Sequence, residues 1–144
     1  MAKSRGRQRI RASHDAAHAD LRIEAWAPTR DGCIREAVLC MVETFLDTPL
    51  AYPKGTRRCR LTQQRDDDLL VAVLDEVIYL LDTEGEAPVD LDLHDLDGAV
   101  DVNFAIADAT TLPQLGAVPK AVSLNEIRPS QGRAGWRCLV TLDV

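Results

Sequence analysis

The hydropathy pattern predicts an α+β fold, a single domain in which a mixed or antiparallel β-sheet of about six strands packs against two main helices. Three observations carry that prediction. Residues 136–144, WRCLVTLDV, alternate with a period of two, so Trp136, Cys138, Val140, Leu142 and Val144 share one face of a strand. The run LLVAVLDEVIYLLDTE, residues 69–84, repeats its apolar positions at helical spacing. Asp97-Gly98 stands between two alternating runs, the signal of a tight β-hairpin.

The elements follow in order. Residues 21–27, LRIEAWA, alternate as a strand, with Asp20 at its start on the face opposite Leu21 and Ile23. Pro28-Thr29 closes that strand, and Thr29 has the hydroxyl of an N-cap. Ile34, Ala37, Val38, Met41 and Phe45 then recur at helical spacing, so a helix runs to about Leu46, mildly weakened by Gly32. Residues 47–55, with Pro49 and Pro53, read as a loop, and 57–64 as a short basic edge strand. Asp66, Asp67 and Asp68 suit a helix N-terminus, where orphan amides and the macrodipole favour negative charge.

In the helix that follows, Leu69, Leu70, Val73, Val77, Leu80 and Leu81 form a wide apolar arc. Asp68, Asp75, Tyr79 and Asp82 fall on the other side, and Glu76 lies at the edge of the arc, where it needs a hydrogen-bonding or cationic partner. Val89, Leu91 and Leu93 alternate with Asp90, Asp92 and His94. Val100, Val102, Phe104 and Ile106 alternate with Asp101, Asn103 and Ala105, which predicts a hairpin with one wet, acidic face. A connection over 108–118, with room for a short helix, leads past Pro119 to a strand holding Val122 and Leu124. Residues 131–135 form a turn, and the last strand follows.

A chain of 144 residues, 46% hydrophobic and 28% charged, is long enough to bury a core in one domain. Its net charge of -6 is unevenly spread, because Lys3, Arg5, Arg7, Arg9 and Arg11 make residues 1–11 +5 and leave -11 on the remainder. Residues 1–13 read as a basic arm too poor in apolar residues to order itself, and 14–144 as the domain. The acidic body excludes a DNA groove and suits metal ions or a basic protein surface, with weak RNA contact left to the arm. The arm has no apolar stretch of the secretory kind, and no run approaches the ~20 residues of a membrane span, so a cytoplasmic protein is expected.

Cys33, Cys40, Cys59 and Cys138 show no CxxC pair or zinc spacing, and Cys33, Cys40 and Cys138 read as buried core thiols. His14, His18 and His94 form no recognisable ligand set. The acid-rich stretch 90–101 fails as an EF-hand, because setting Gly98 at loop position six puts Phe104 where an acidic ligand is required. There is no Walker A loop, GxSxG elbow or HExxH motif. Asp143 beside a strand-held terminal carboxylate concentrates hard oxygen ligands of the kind Ca²⁺ or Mg²⁺ takes.

Three stretches together resemble the archease family. They are the helix DLLVAVLDEVIYLLDTE (68–84), the segment Pro119-Lys120-Ala121-Val122-Ser123, and the end Val140-Thr141-Leu142-Asp143-Val144. Near the start, Ala19-Asp20-Leu21 stands where the family has His-Thr-Ala-Asp-Ile. The resemblance runs in order from about residue 14 to 144. It implies a small non-enzymatic α+β protein that activates an RtcB-type RNA ligase in tRNA splicing or repair, promoting guanylylation and multiple turnover. It also implies a divalent cation, Ca²⁺ or Mg²⁺, on Asp20, Asp143 and the Val144 carboxylate, with Glu76 and Lys120 as supporting or partner-contact residues. Two positions depart from the family pattern: Ala17, with His18 displaced by one, and Asn125 where a His often stands. Two further functions are carried alongside: an accessory protein of a tRNA methyltransferase, and a metal-dependent phosphoester hydrolase using Asp20, Asp143 and Glu76.

Overall fold

The computed structural model describes residues 6–11, 20–49, 51–62, 64–130 and 135–144. They form strands β1 (Gly6–Arg11) and β2 (Asp20–Ala27), helix α1 (Arg30–Glu43), strand β3 (Gly55–Thr62) and helix α2 (Asp66–Tyr79). Strands β4 (Glu86–Leu96), β5 (Ala99–Asp108), β6 (Ala121–Pro129) and β7 (Trp136–Asp143) complete the chain. The α+β class is as expected. The single sheet is not, because the strands divide into two sheets, ordered β1-β2-β7-β6 and β3-β5-β4, and every pairing is antiparallel. Alternation specifies one buried face per strand but not which strands are neighbours. Here the two apolar sheet faces share one helical layer, with α1 packed on both β2 and β4.

The basic arm was expected to lack order. Gly6–Arg11 instead forms an edge strand, in register with β2 from Gly6 opposite Trp26 to Arg11 opposite Leu21. Ladder hydrogen bonds and two ion pairs provide what its composition lacks. Arg7 donates to Glu36 Oε1 at 2.8 Å and to Glu43 Oε2 at 2.7 Å, both on α1. Gly6 admits no side chain, since a Cβ there would meet the Trp26 ring at 2.6 Å. The rest of the arm, His14, Ala17, His18 and most of the expected turn at 131–135 lie outside the described residues.

Thr29 caps α1 as expected, its Oγ1 accepting from Gly32 N at 3.0 Å. The helix stops at Glu43, short of Leu46, which pairs instead with Gln114. Nine of the fourteen residues of α1 are buried, including Glu36. That carboxylate is matched by Arg7 on β1 and by Arg35, which also donates to Asp90 of β4 at 2.7 Å. A second knot sits at the N-terminal ends of the helices, where Arg30 donates to Asp31, Asp66 and Asp95 at 3.0–3.1 Å.

Helix α2 buries Leu69, Leu70, Val73, Leu74 and Val77 and exposes Asp68, Asp75 and Tyr79, as the pattern required. It continues as a wider π-turn over Leu80–Glu84 and ends at Gly85, whose φ of 63° suits glycine. Its first-turn acids do more than favour the macrodipole. Asp66 binds Arg30, and Asp67 accepts from Ile127 N at 2.8 Å, tying the helix to edge strand β6.

The β4–β5 hairpin turns at Asp97-Gly98, with Gly98 at φ 74°. Its outer face is only partly wet. Asp90, Asp92 and His94 are exposed, but Asp101 is 3% exposed beneath Arg58 and Arg60. The Arg60 hydrogen bond, with both guanidinium charges, holds Asp101 below the usual carboxylate range. Glu86 is buried in the same way, lowered first by Arg57, with Lys54 beside it. Three cysteines are the buried thiols expected, and contact with Cys33 together with burial pushes the Cys138 thiol far up, which makes it inert. Among the described residues no helix is long and apolar enough to cross a membrane.

Two outcomes test this packing. Leu74 is fully buried, so Leu74→Ala is expected to cost roughly 2–5 kcal/mol in urea unfolding; a negligible loss would contradict the placement of α2. A carboxylate whose folded pKa is depressed adds stability above its unfolded pKa and loses it as pH falls through the folded value. Asp101→Asn should therefore lower Tm at neutral pH and flatten its fall below about pH 4. An acid limb identical to that of the unaltered chain would remove Asp101 from the account.

Candidate metal centre

Strands β2 and β7 are antiparallel neighbours, and their register sets Asp20 directly opposite Asp143. Ile23, Ala25 and Ala27 of β2, with Cys138, Val140 and Leu142 of β7, point into the core. By the period of two, Asp20 and Asp143 both point outward, at the end of the sheet. Directly opposed side chains bring their Cβ atoms to about 5 Å.

The backbone around the pair is pinned on both sides. Ala121 of β6 stands opposite Asp143 on its other flank, and Lys120 N donates to Asp143 O at 2.8 Å. Val144 packs its side chain against the core, so the residue after Asp143 is held in place as the sequence suggested. Among the described residues, no Lys, Arg or His is ion-paired with either carboxylate. The other two outward-facing acids of this sheet are each paired, Glu24 with Arg137 and Glu126 with Arg128. Like charges directly opposite one another are destabilising unless a cation, a proton or solvent intervenes.

An all-oxygen donor set suits Ca²⁺ or Mg²⁺ rather than a softer metal. Asp20 and Asp143 supply two side-chain carboxylates. Among the described residues no group of three His, Cys, Asp or Glu side chains converges as a metal site. Two aspartate side chains fall short of either ion's coordination number, and further oxygens or water would have to complete the shell.

The other residues singled out fall elsewhere or act differently. The Lys120 side chain is exposed, beside the pair through its backbone alone. Glu76 is half-buried next to β3, where its charge adds to desolvation in raising the Cys59 thiol. Among the described residues Glu76 forms no metal-ligating group with Asp20 and Asp143, so the hydrolase reading lacks its third ligand there. Asn125 has a structural task, its Nδ2 donating to Asp67 O at 2.6 Å and fastening β6 to α2.

One outward residue escaped the sequence pattern. A regular strand would put Val122 and Leu124 on one face, but the register shifts between them. Val122 stands opposite inward Leu142, whereas Leu124 stands opposite outward Thr141 and is 65% exposed. A one-residue bulge is invisible to a periodicity count unless glycine or a broken alternation marks it.

The comparisons with known proteins bear on this geometry. The Archease protein family (MTH1598/TM1083) matches residues 13–144. The chain belongs to the archease family. It is 75% identical over 126 residues to the "Probable protein archease" of Mycobacterium tuberculosis, strains CDC 1551 and H37Rv, covering 88% of this chain and 70% of the relative. The "Protein archease" of Methanosarcina barkeri is 26% identical over 149 residues, covering 98% and 99%. The archease fold is also seen in the solution structure of Methanobacterium thermoautotrophicum protein 1598. That structure has a TM-score of 0.74 and 22% identity, over 96% of this chain and 99% of the other. Archease membership supports a non-catalytic accessory role in RNA processing.

If the paired aspartates hold a cation, removing one charge has opposite effects in two buffers. Asp143→Asn should match or exceed the unaltered protein in Tm under EDTA, because relief of cross-strand repulsion contributes roughly 0.2–1 kcal/mol. In millimolar Ca²⁺ the unaltered protein should gain stability and the variant should not. Equal Ca²⁺-dependent shifts in both proteins would remove Asp143 from the ligand set.

Proposed function

We propose that this protein is a non-catalytic activator of an RtcB-type RNA ligase in tRNA splicing or RNA repair, promoting ligase guanylylation and repeated turnover. The observation that carries the reading is the register of β2 and β7, which opposes Asp20 and Asp143 on an outward sheet end in a chain of the archease family. Asp20, Asp143 and the Val144 carboxylate would hold a divalent cation, Ca²⁺ or Mg²⁺. When bound, that ion supplies positive charge for phosphate and carboxylate oxygens.

The chain's own residues do the positioning. Antiparallel pairing on both sides of β7 fixes Asp143, and the packed Val144 side chain limits motion of the residue beyond it. The outward pointing of both aspartates makes the tip accessible to a large partner without any opening of the fold. Lys120, exposed beside it, is a contact for an acidic group on the ligase or its RNA.

The test is RNA ligation by a purified RtcB-type ligase with GTP and excess RNA ends, with and without sub-stoichiometric amounts of this protein. Conversion from single to multiple turnover, lost in Asp143→Asn and Asp20→Asn, is the expected result. Absence of stimulation with a cognate ligase would overturn the activator reading. A tRNA methyltransferase would then be the next partner to assay.

A further inference from the structure

Residues 51–65 hold Lys54, Arg57, Arg58, Arg60 and Arg65 and no acid, a local charge of +5 in a chain of net charge -6. Most of this stretch is β3, an edge strand paired with β5 alone. Register sets Arg58 and Arg60 on the outer face, opposite Asn103 and Asp101, and Arg57 on the other, opposite Phe104. Two buried acids anchor these side chains. Asp101 accepts from Arg60 Nε at 2.8 Å and lies 3.1 Å from Arg58 Nη2. Glu86 accepts from Arg57 at 2.8 and 3.1 Å, with Lys54 Nζ at 3.8 Å. The acids are 3% and 5% exposed, whereas the side chains of Arg57, Arg58 and Arg60 are 50%, 69% and 65% exposed. Two carboxylates underneath thus hold four cations on top. A guanidinium has five N–H donors, and none of the three spends more than two on its anchor.

Aromatic rings border the same strand. The chain has two tyrosines, Tyr52 and Tyr79, and they are 87% and 48% exposed. Tyr52 stands two residues before Lys54, whose N donates to Ile106 O at 2.7 Å and pins the lead-in to β5. Tyr79 ends α2, and its hydroxyl donates to Glu84 at 3.2 Å within reach of the Arg57 charge. Glu84 adds one negative charge there, and the stretch still keeps a positive balance. Charged side chains guard a sheet edge against a further strand. That accounts for the arginines but not for two exposed rings beside them. The cluster around Arg30 has the opposite balance, with Asp31, Asp66 and Asp95 on one guanidinium.

We propose that β3 is a docking edge for single-stranded RNA, with Arg57, Arg58 and Arg60 on its phosphates and Tyr52 and Tyr79 stacking on its bases. The sequence left RNA contact to the basic arm; the structure supplies a second basic surface inside the folded domain. Single strands are bound by a positive track along the backbone and aromatic rings under the bases, and both parts are present here. Arg58 and Arg60, two residues apart on one face, repeat about every 6–7 Å along the strand. A polymer that repeats its phosphates along a line matches that array. The buried acids hold the forks in place, so less side-chain freedom is lost on binding. An acidic protein surface would satisfy the arginines but leave the rings without a partner. The inference goes beyond the activator reading and involves neither Asp20, Asp143 nor a cation.

The experiment measures fluorescence anisotropy of a labelled single-stranded RNA of mixed sequence, about 20 nucleotides long, with the full chain across about 50 to 200 mM salt. A polyglutamate of matching length is the second probe. Arg58→Gln leaves Asp101 with Arg60, and Tyr52→Ala removes an exposed ring, so both variants should keep the Tm of the unaltered protein. Arg58→Gln should weaken RNA binding roughly threefold or more and reduce the slope of log K against log salt by about 0.7, and Arg58→Lys should restore the slope. Tyr52→Ala should weaken binding roughly fivefold or more with the slope unchanged. The double variant Lys3→Gln, Arg5→Gln tests the arm. Binding abolished by that variant and unaltered by Arg58→Gln and Tyr52→Ala would overturn the inference in favour of the arm. Polyglutamate bound as tightly as RNA, with no effect of Tyr52→Ala, would reassign the edge to an acidic protein and overturn it. Absence of RNA binding by the unaltered protein would overturn it outright. No ligase enters the assay, so each of these failures leaves the activator reading standing.

Discussion

Everything in this fold depends on burying α1. From Ala37 to Val42 the helix is apolar and buried on every side, and a stretch of that kind needs cover all round. One sheet can cover only one flank. The chain therefore builds two sheets and holds α1 between them, with β2 on one side and β4 on the other. The one acid this arrangement traps, Glu36, must be matched, since an unpaired buried carboxylate costs several kcal/mol. Arg7 and Arg35 match it, and in doing so they tie β1, α1 and β4 together. The basic segment before β2 thus owes its order to α1 rather than to its own composition.

The outward tip follows from the same constraint. β2 leads directly into α1, so it has to lie on the helix, and β7 lies beside it with Val140 and Leu142 turned inward. Once those inward residues are fixed, the period of two fixes Asp20 and Asp143 outward, and a one-residue slip would bury both. The opposition of the two aspartates is a consequence of core packing, and the core enforces it whatever the charges prefer.

Much of this was legible in the sequence. Strict alternation in β2, β5 and β7, the arc along α2, the Thr29 cap and the Asp97-Gly98 turn each have a local cause, and each appears where the pattern put it. The features that escaped have non-local causes. The division into two sheets is decided by which strands become neighbours, which no window of residues records. Order in Gly6–Arg11 and burial of Asp101 both come from arginine–carboxylate pairs made across elements. At the candidate site, the sequence named both aspartates but not their meeting, and it named Glu76 on grounds of half-burial and resemblance. Half-burial identifies a residue that needs company; it does not say whose, and here the neighbour is β3.

The distribution of paired and unpaired acids supplies the last step. Glu24, Glu36, Glu86, Asp90, Asp101 and Glu126 are each matched by an arginine. An acidic chain with this many arginines at hand could have matched Asp20 and Asp143 as well; Arg22 is two residues from one of them and on the same face. Among the described residues neither is matched in that way, and the two stand opposite each other on paired strands packed against the core. Sequences that otherwise agree with their fold at every level tend to break a local rule where function requires it. Cross-strand repulsion held in place by a well-packed core is such a break. The exposed Leu124 one row away is a second, produced by a different device, a bulge in β6. Both departures lie at the same end of one sheet face.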